Sequence, residues 1–147
     1  MNQIKQTPVA SLDAKPVAIN ANIKRLTQLE AEMIKFPQVE PEVVHHFAPG
    51  LYAREMHVPA GVLLTGKIHR HAHLNVMSAG SAVLVNESGR QVVTAPYSFV
   101  SAPGTKRAFY AIEDMVWTTF HPTDETDLDK IEAEWIVEDP RELEVQA

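Results

Sequence analysis

Beyond Pro41 the sequence is divided into short apolar runs, and this pattern limits the possible folds more than any other feature of the chain. The runs include "GLYAREMHV", "SAVLV", "QVVTA", "YSFVS" and "MVWTTF", and turn segments such as "APG", "PAG" and "NESG" separate them. Runs of this length that are rich in valine, threonine and aromatic residues are typical of β-strands. Many such strands, with frequent turns and no helix between them, predict an antiparallel sandwich or barrel.

A helix is predicted on each side of this β-rich region. Before it, apolar residues recur at three- and four-residue spacing after an asparagine cap and before Pro37: Ile23, Leu26, Leu29 and Met33. After it, a shorter apolar set predicts one or two helical turns against the barrel: Leu128, Ile131 and Trp135. The segment "IED", from Ile112 to Asp114, is interpreted as a hairpin turn.

The length of 147 residues, with 45% hydrophobic content, is enough for one core and too short for two ordinary domains. We expect residues 1–20 to form a flexible arm, residues 21–147 a single domain, and residues 42–122 the core of its barrel. The first twenty residues contain no apolar block of signal-peptide or membrane-spanning length, so a cytoplasmic location without a membrane partner is expected.

Charge and cysteine content limit the possible partners. The net charge of -6, without clusters of lysine or arginine, argues against nucleic acid as a partner. The absence of cysteine excludes thiolate ligands, so any bound metal ion must use imidazole and oxygen ligands. No phosphate-binding glycine loop or nucleophile elbow is present, so nucleotide hydrolysis and serine-type catalysis have no support.

Three histidines stand at alternate positions in "GKIHRHAHLNVMSAG": His69, His71 and His73. They are candidates for metal ligands, for a solvated polar strand, or for one edge of a ligand pocket. On a straight strand neighbouring members of this set lie about 6.7 Å apart, and the outer pair lies about 13 Å apart. A single ion therefore reaches both outer histidines only if the strand bends.

The stretch "PAGVLLTGKIHRHAHLNVMSAG" resembles the first motif of the cupin superfamily, with Gly61, His69 and Gly80 in register. "SAPGTKR" is similar to the second cupin motif, with Gly104 in register. The resemblance covers about half of the chain, from Leu51 to His121, and implies an all-β jelly-roll barrel with one N-terminal helix and a short C-terminal helical tail.

The chain departs from the cupin pattern at three of the four metal-ligand positions, which here are Lys67, His73 and Arg107; only His69 matches. The resemblance implies a bend near residues 70–72 that brings His69 and His73 together and turns His71 away. It also implies that the last strand lies beside the first-motif strand.

These implications predict metal ligands at His69, His73 and His121, with His71 as a further candidate. Such a set suits zinc, iron, nickel or copper better than magnesium or calcium. Arg107 and Lys67 are expected to bind an anionic or sugar-like ligand.

Two functional hypotheses follow. One is a metal-dependent cupin enzyme, with isomerases, lyases and dioxygenases as family analogies. The other is a non-catalytic cupin with a structural, assembly or ligand-sensing role, since the stretch from Pro103 to Glu132 is similar to small cupin-like proteins of phage and prophage origin. In either case we expect a homodimer, because cupin sheets pair along their edges or faces.

Overall fold

A computed structural model of the chain describes residues 21–86 and 89–137. Within these ranges the helices are α1 (Ala21–Met33) and α2 (Leu128–Trp135). The strands are β1 (Glu42–Ala48), β2 (Leu51–Val58), β3 (Leu63–Thr65), β4 (Ile68–His69), β5 (His73–Ala79), β6 (Ser81–Asn86), β7 (Gly89–Thr94), β8 (Tyr97–Ser101), β9 (Ala108–Ala111), β10 (Met115–His121) and β11 (Ile136–Val137).

The strands form two main antiparallel sheets. The five-stranded sheet has the order β1-β2-β10-β5-β8, and the four-stranded sheet has the order β3-β9-β6-β7. A small third sheet pairs β11 with β4. Neighbouring strands are often distant in sequence, as in a jelly roll, where the chain passes repeatedly between the two sheets. The predicted all-β jelly roll with an N-terminal and a C-terminal helix is therefore confirmed.

The main core lies between the two sheets and consists of the alternate residues that each strand turns inward. Its largest cluster includes Met56, Met77, Leu84, Phe109 and Trp117, all of which are buried. Burying one side chain of this kind contributes about 1.5–3 kcal/mol relative to its exposure. This apolar layer fills one end of the sandwich and leaves the other end for polar side chains.

Gly80 separates β5 from β6 at a point where only glycine fits. Its φ is +87°, and a Cβ atom there would clash with the backbone carbonyl oxygen of Asp114. The prediction that the segment from Ile112 to Asp114 is a hairpin turn is wrong, because the strands on its two sides do not pair with each other. The turn connects β9, which pairs with β3 and β6, to β10, which pairs with β2 and β5, so the chain crosses between sheets.

Helix α1 packs beside the small third sheet, where Ile23 contacts Ile68 and Val137. Asn22 is a buried residue within α1, and its side-chain amide donates to the carbonyl oxygen of Lys106 at 2.8 Å. Asn22 therefore joins the helix to the loop before β9 instead of capping it. The Lys106 ammonium group also pairs with the Glu30 carboxylate.

Helix α2 begins at a capping aspartate and packs over one end of the sandwich. The Asp127 carboxylate accepts from the backbone N–H of Asp129 at 3.0 Å, as an N-cap side chain does. Ile131 and Trp135 are buried against Tyr52 of β2. The helix thereby covers the polar end of the barrel.

The predicted arm at residues 1–20 lies outside the described residues, as do residues 138–147, so the domain limits stay predictions. Along the described ranges, neither helix combines the length and apolar character needed to span a membrane.

Candidate metal and ligand site

The inner face of the five-stranded sheet carries three rows of side chains, which follow from strand register and the two-residue alternation of a strand. The apolar row contains Tyr97, Met77, Trp117, Met56 and Val43. The next row contains Phe99, Asn75, Thr119, Arg54 and His45. Beyond it, at the end covered by α2, lie Ser101, His73, His121 and Tyr52. The polar site therefore lies at one end of the sheet.

Three histidines meet at this end. The ring centroids of His69 and His73 are 3.9 Å apart, those of His69 and His121 are 5.3 Å apart, and those of His73 and His121 are 5.7 Å apart. We call these three residues the histidine cluster. The three histidines that the cupin resemblance singled out are thus neighbours in space, although 48 residues separate His73 from His121.

The backbone between β4 and β5 explains how His69 reaches His73. Strand β4 pairs with β11 and strand β5 pairs with β10, so the chain leaves one sheet and enters another across residues 70–72. The N–H of Arg70 donates to the carbonyl oxygen of Trp135 at 2.7 Å. The N–H of Gly104 donates to the carbonyl oxygen of His69 at 2.9 Å, which joins the two motifs. The predicted bend is present, as a change of sheet.

Burial keeps the histidine cluster uncharged at neutral pH. Desolvation lowers the pKa of His73 to about 4, and it does the same for His121, where the neighbouring His73 adds to the effect. Desolvation, followed by the proximity of His73 and His121, lowers the pKa of His69 well below its usual value. Neutral imidazoles are the form that binds metal ions, because protonation occupies the coordinating lone pair.

Hydrogen bonds indicate which ring nitrogen is free. Because a carbonyl oxygen only accepts, the Nδ1 of His69 donates to Lys67 at 3.1 Å, and the Nδ1 of His73 donates to His71 at a longer 3.4 Å. This leaves the lone pair of His69 on Nε2, whereas the ring of His73 also hydrogen-bonds to the side chain of Asn75. The Nδ1 atom of His121 is buried and has no hydrogen-bond partner among the described residues.

The imidazole nitrogens of the histidine cluster are suitable ligands for a transition metal and lie close together. Their lone pairs, however, do not point to a common centre. The ring planes differ by 14–29°, so the in-plane lone pairs run side by side. Within residues 21–86 and 89–137, no three His, Asp or Glu side chains are arranged to bind a metal ion as they stand. A shared ion therefore requires the imidazole rings to tilt about their side-chain bonds.

His71 lies apart from the histidine cluster. Its ring meets the edge of Trp135 at a centroid distance of 4.8 Å, and it does not line the cavity described below. Lys67 stands at the rim of that cavity with 62% of its side chain exposed, and its ammonium group pairs with Glu132. The structure therefore brings neither residue into the interior, where the cupin register had placed Lys67.

Arg107 points inward and is held by two contacts. Its Nη1 donates to the hydroxyl of Ser101 at 2.7 Å, and its guanidinium carbon lies 4.8 Å from the centroid of the Phe99 ring. Its Nε is buried without a hydrogen-bond partner among the described residues. Desolvation lowers the pKa of Arg107 to about 10, so it remains a cation at neutral pH.

A buried polar network orients Ser101 toward Arg107. The side-chain amide of Asn75 donates to the Ser101 hydroxyl at 2.8 Å, and the indole N–H of Trp117 donates to the Asn75 carbonyl at 3.2 Å. Asn75 is 1% exposed and Ser101 is 2% exposed. These three hydrogen bonds hold the Arg107 guanidinium group in one orientation, with its Nε still free for a ligand.

Arg54 is a polar residue of the site that the sequence analysis missed. It lies between Tyr52 and Met56 on the inner face of β2, partly buried, opposite Thr119 of β10. The sequence signal that could have identified Arg54 was the two-residue alternation of inward-facing side chains along β2. Tyr52, Met56 and Val58 share one side of that strand, and Arg54 falls on the same side.

A cavity of about 420 Å³ connects these groups. Its polar lining includes the histidine cluster, Arg54, Arg107 and Asn75, and its apolar lining includes Leu64, Phe109, Trp117, Ile131 and Trp135. A concave site with apolar walls and a few inward polar groups is typical of small-molecule binding. The structure thus describes a jelly-roll barrel with histidines and arginines facing one internal cavity.

No protein-family model matches the chain, and no curated protein matches its sequence. A salicylate 1,2-dioxygenase from Pseudaminobacter salicylatoxidans is similar in structure, with a TM-score of 0.52 and 11% identity over 75% of this chain and 34% of that one. A cupin 2 domain-containing protein from Halorhodospira halophila gives a TM-score of 0.49 and 17% identity over 64% of this chain and 75% of that one. KdgF from Halomonas sp. gives a TM-score of 0.47 and 21% identity over 59% of this chain and 86% of that one.

The chain has an antiparallel jelly-roll fold, the fold that the resemblance to the cupins implied. At these identities the likeness concerns the fold alone, so the activity must be argued from the site. The relation to phage and prophage proteins stays a prediction.

Proposed function

We propose that this cupin-fold protein binds a divalent transition metal through His69, His73 and His121 and binds a small anionic ligand beside it through Arg107. The observation that carries the proposal is the meeting of three desolvated, neutral imidazoles within 5.7 Å at the wall of an internal cavity. Three imidazoles with open positions suit zinc, iron(II), nickel or copper(II).

When bound, such an ion would supply Lewis-acid polarisation of a ligand oxygen, as metal-dependent isomerases and lyases use, or, if redox-active, the activation of dioxygen that dioxygenases use. The protein side of the site would exclude water through α2 and orient the ligand through Arg107. Lys67, at the rim, is proposed as a weaker contact for the same anion, since Glu132 already neutralises it.

A second candidate function is a metal-free cupin that binds its ligand, or a partner, without catalysis. The near-parallel imidazole planes favour it, because the lone pairs would have to reorient before they could share an ion. The carboxylate ligand of the cupin motif is also replaced, by His73. Metal content separates the two candidates.

The decisive experiment measures metal in untagged protein by inductively coupled plasma mass spectrometry, after growth in medium supplied with each candidate metal. We expect close to one ion per chain in the wild type. His73→Ala and His121→Ala should each remove it, while circular dichroism verifies that the variants fold. A wild type without metal, or variants that retain it, would refute the metal proposal.

His46→Ala is the matched control, because His46 contacts Glu55 on the outer face of β1 and β2. It should keep the full metal content. His71→Ala tests the remaining candidate ligand. We expect it to keep the metal as well, since the His71 ring contacts Trp135 instead of the histidine cluster.

We also propose that the protein is a homodimer. Strand β1 is an edge of the five-stranded sheet, and Phe47 on this strand is 44% exposed. Open strand edges with apolar side chains favour pairing with another strand. Light scattering at micromolar concentration should give twice the chain mass, and a monomer would contradict the proposal.

A further inference from the structure

Two guanidinium groups face the cavity, and among the described residues neither has a carboxylate partner. Arg107 bonds to a neutral hydroxyl, and the side-chain contact of Arg54 is to the sulfur of Met56 at 3.8 Å. The acidic neighbour of Arg54 cannot neutralise it, because Glu55 points to the opposite face of β2 and contacts His46 and His57 there. The cavity lining therefore carries two positive charges that no described residue balances.

The two arginines flank the histidine cluster from different sides. Arg54 lies on β2, next to the strand that carries His121, and its charge contributes to the lowered pKa of His121. Arg107 precedes β9 of the opposite sheet, and its charge contributes to the lowered pKa values of His69 and His73. A ligand that fills the space before the histidines can meet one arginine at each end.

A partly buried cation without a counter-ion is costly, and a divalent metal between two such cations would be repelled. An anionic ligand would supply the missing counter-ion for the arginines and would also offset their repulsion of the metal ion. The planar guanidinium fork matches the two oxygens of a carboxylate, and the apolar walls formed by Leu64, Phe109 and Ile131 suit a short carbon chain.

We propose that the natural ligand is a small dicarboxylate, with one carboxylate on Arg107 and the other on Arg54. This inference rests on the proposed function for the location of the site and for Arg107. It adds Arg54 as a specificity residue and narrows the ligand class from an anion to a molecule with two carboxylates.

The experiment is isothermal titration calorimetry of the full-length protein with dicarboxylates of four, five and six carbons, each compared with the monocarboxylate of equal length. At least one dicarboxylate should bind about tenfold or more tightly than its monocarboxylate, since its second carboxylate gains charge-assisted hydrogen bonds to Arg54. The optimal length then measures the separation of the two guanidinium groups.

Arg54→Gln should reduce the ratio of dicarboxylate affinity to monocarboxylate affinity to near one, while monocarboxylate binding remains. Arg54→Lys retains charge without the planar fork and should give an intermediate preference. Arg107→Gln should weaken both ligand classes. Arg25→Gln is the control, because Arg25 is exposed on α1 and does not line the cavity; it should leave every affinity unchanged.

Equal binding of both classes by the wild type would overturn the inference, and so would a preference that persists in Arg54→Gln. Failure of the proposed function gives a different result. In that case the protein contains no metal, or Arg107→Gln leaves monocarboxylate binding unchanged. Either result is independent of whether dicarboxylates bind more tightly than monocarboxylates.

Discussion

The imidazole ring of His73 lies face to face with that of His69, at a centroid distance of 3.9 Å, although the two residues belong to strands of different sheets. Close packing of two rings inside a protein favours their neutral forms, because two adjacent imidazolium ions would repel each other at low dielectric. The change of sheet across residues 70–72 thus determines both the location and the charge state of the site.

Acid should destabilise the metal-free protein before the carboxylates titrate. In the unfolded chain histidine accepts a proton near pH 6.5, whereas in the folded protein His73 and His121 accept one only near pH 4. Between these values the unfolded chain binds more protons, so the free energy of unfolding falls as the pH is lowered from 6.5 to 4. The loss is on the order of 3 kcal/mol for one such histidine.

Urea denaturation monitored by circular dichroism at pH 7, 6 and 5 measures this loss, and proton NMR measures the two midpoints. His73→Asn should show a shallower pH dependence than the wild type. Midpoints near 6.5 for His73 and His121 would contradict the assigned burial.

Gly80→Ala should be strongly destabilising. A methyl group there meets the backbone of Asp114 and Met115, and the φ of +87° is unfavourable for alanine. The left-handed conformation costs about 1–2 kcal/mol and overpacking about 1–3 kcal/mol, so the total is about 2–5 kcal/mol.

Gly50→Ala is the matched control for this substitution. Gly50 has a φ of +75°, but no atom lies within 4 Å of the position that an alanine methyl group would occupy. Gly50→Ala should therefore lower the free energy of unfolding only by the cost of the left-handed conformation, about 1–2 kcal/mol. Equal losses at both positions, measured by urea denaturation, would show that the contact with Asp114 is unimportant.

Asn75→Ala should cost about 1–3 kcal/mol, because it leaves the buried indole N–H of Trp117 without an acceptor. It should also weaken anion binding, since Ser101 loses the donor that orients it toward Arg107. Gln91→Ala provides the comparison: Gln91 is exposed, and its loss should stay within about 0.5 kcal/mol. Calorimetry with a carboxylate probe and urea denaturation check both effects.

Asp127→Ala should destabilise α2 by about 1 kcal/mol, because the helix loses the acceptor for its first N–H groups. Asp127→Asn should restore most of the loss, since asparagine caps helices about as well. Amide hydrogen exchange in α2 provides the measurement. Unchanged exchange in Asp127→Ala would mean that packing of Ile131 and Trp135 alone holds the helix in place.

The sequence was sufficient for the fold class and for the histidine positions that meet. Turn glycines and short apolar runs are local signals, so an antiparallel sandwich or barrel with two helices could be predicted from them. The jelly roll and the bend after His69 were implied by the resemblance to the cupins. The hairpin at Ile112 could not be excluded, because a turn segment does not reveal which strands its neighbours pair with. Pairing depends on the register of the whole sheet.

The arginines show the same limit. Arg107 was predicted from its motif position, whereas Arg54 lies outside both motifs and becomes part of the site only through the pairing of β2 with β10. Lys67 shares a motif with His69, yet Glu132 of α2 draws its side chain to the rim. Contacts made by a distant helix are not encoded in motif spacing.

The sequence contains two tryptophans, and both lie beside the candidate site. The Trp135 indole meets the edge of the His121 ring at a centroid distance of 4.6 Å, and the Trp117 indole bonds to Asn75. Tryptophan fluorescence therefore originates entirely from the walls of the cavity, and a paramagnetic ion such as copper(II) bound by His121 would quench it. The fold thus supplies its own optical reporter of occupancy, without an added dye.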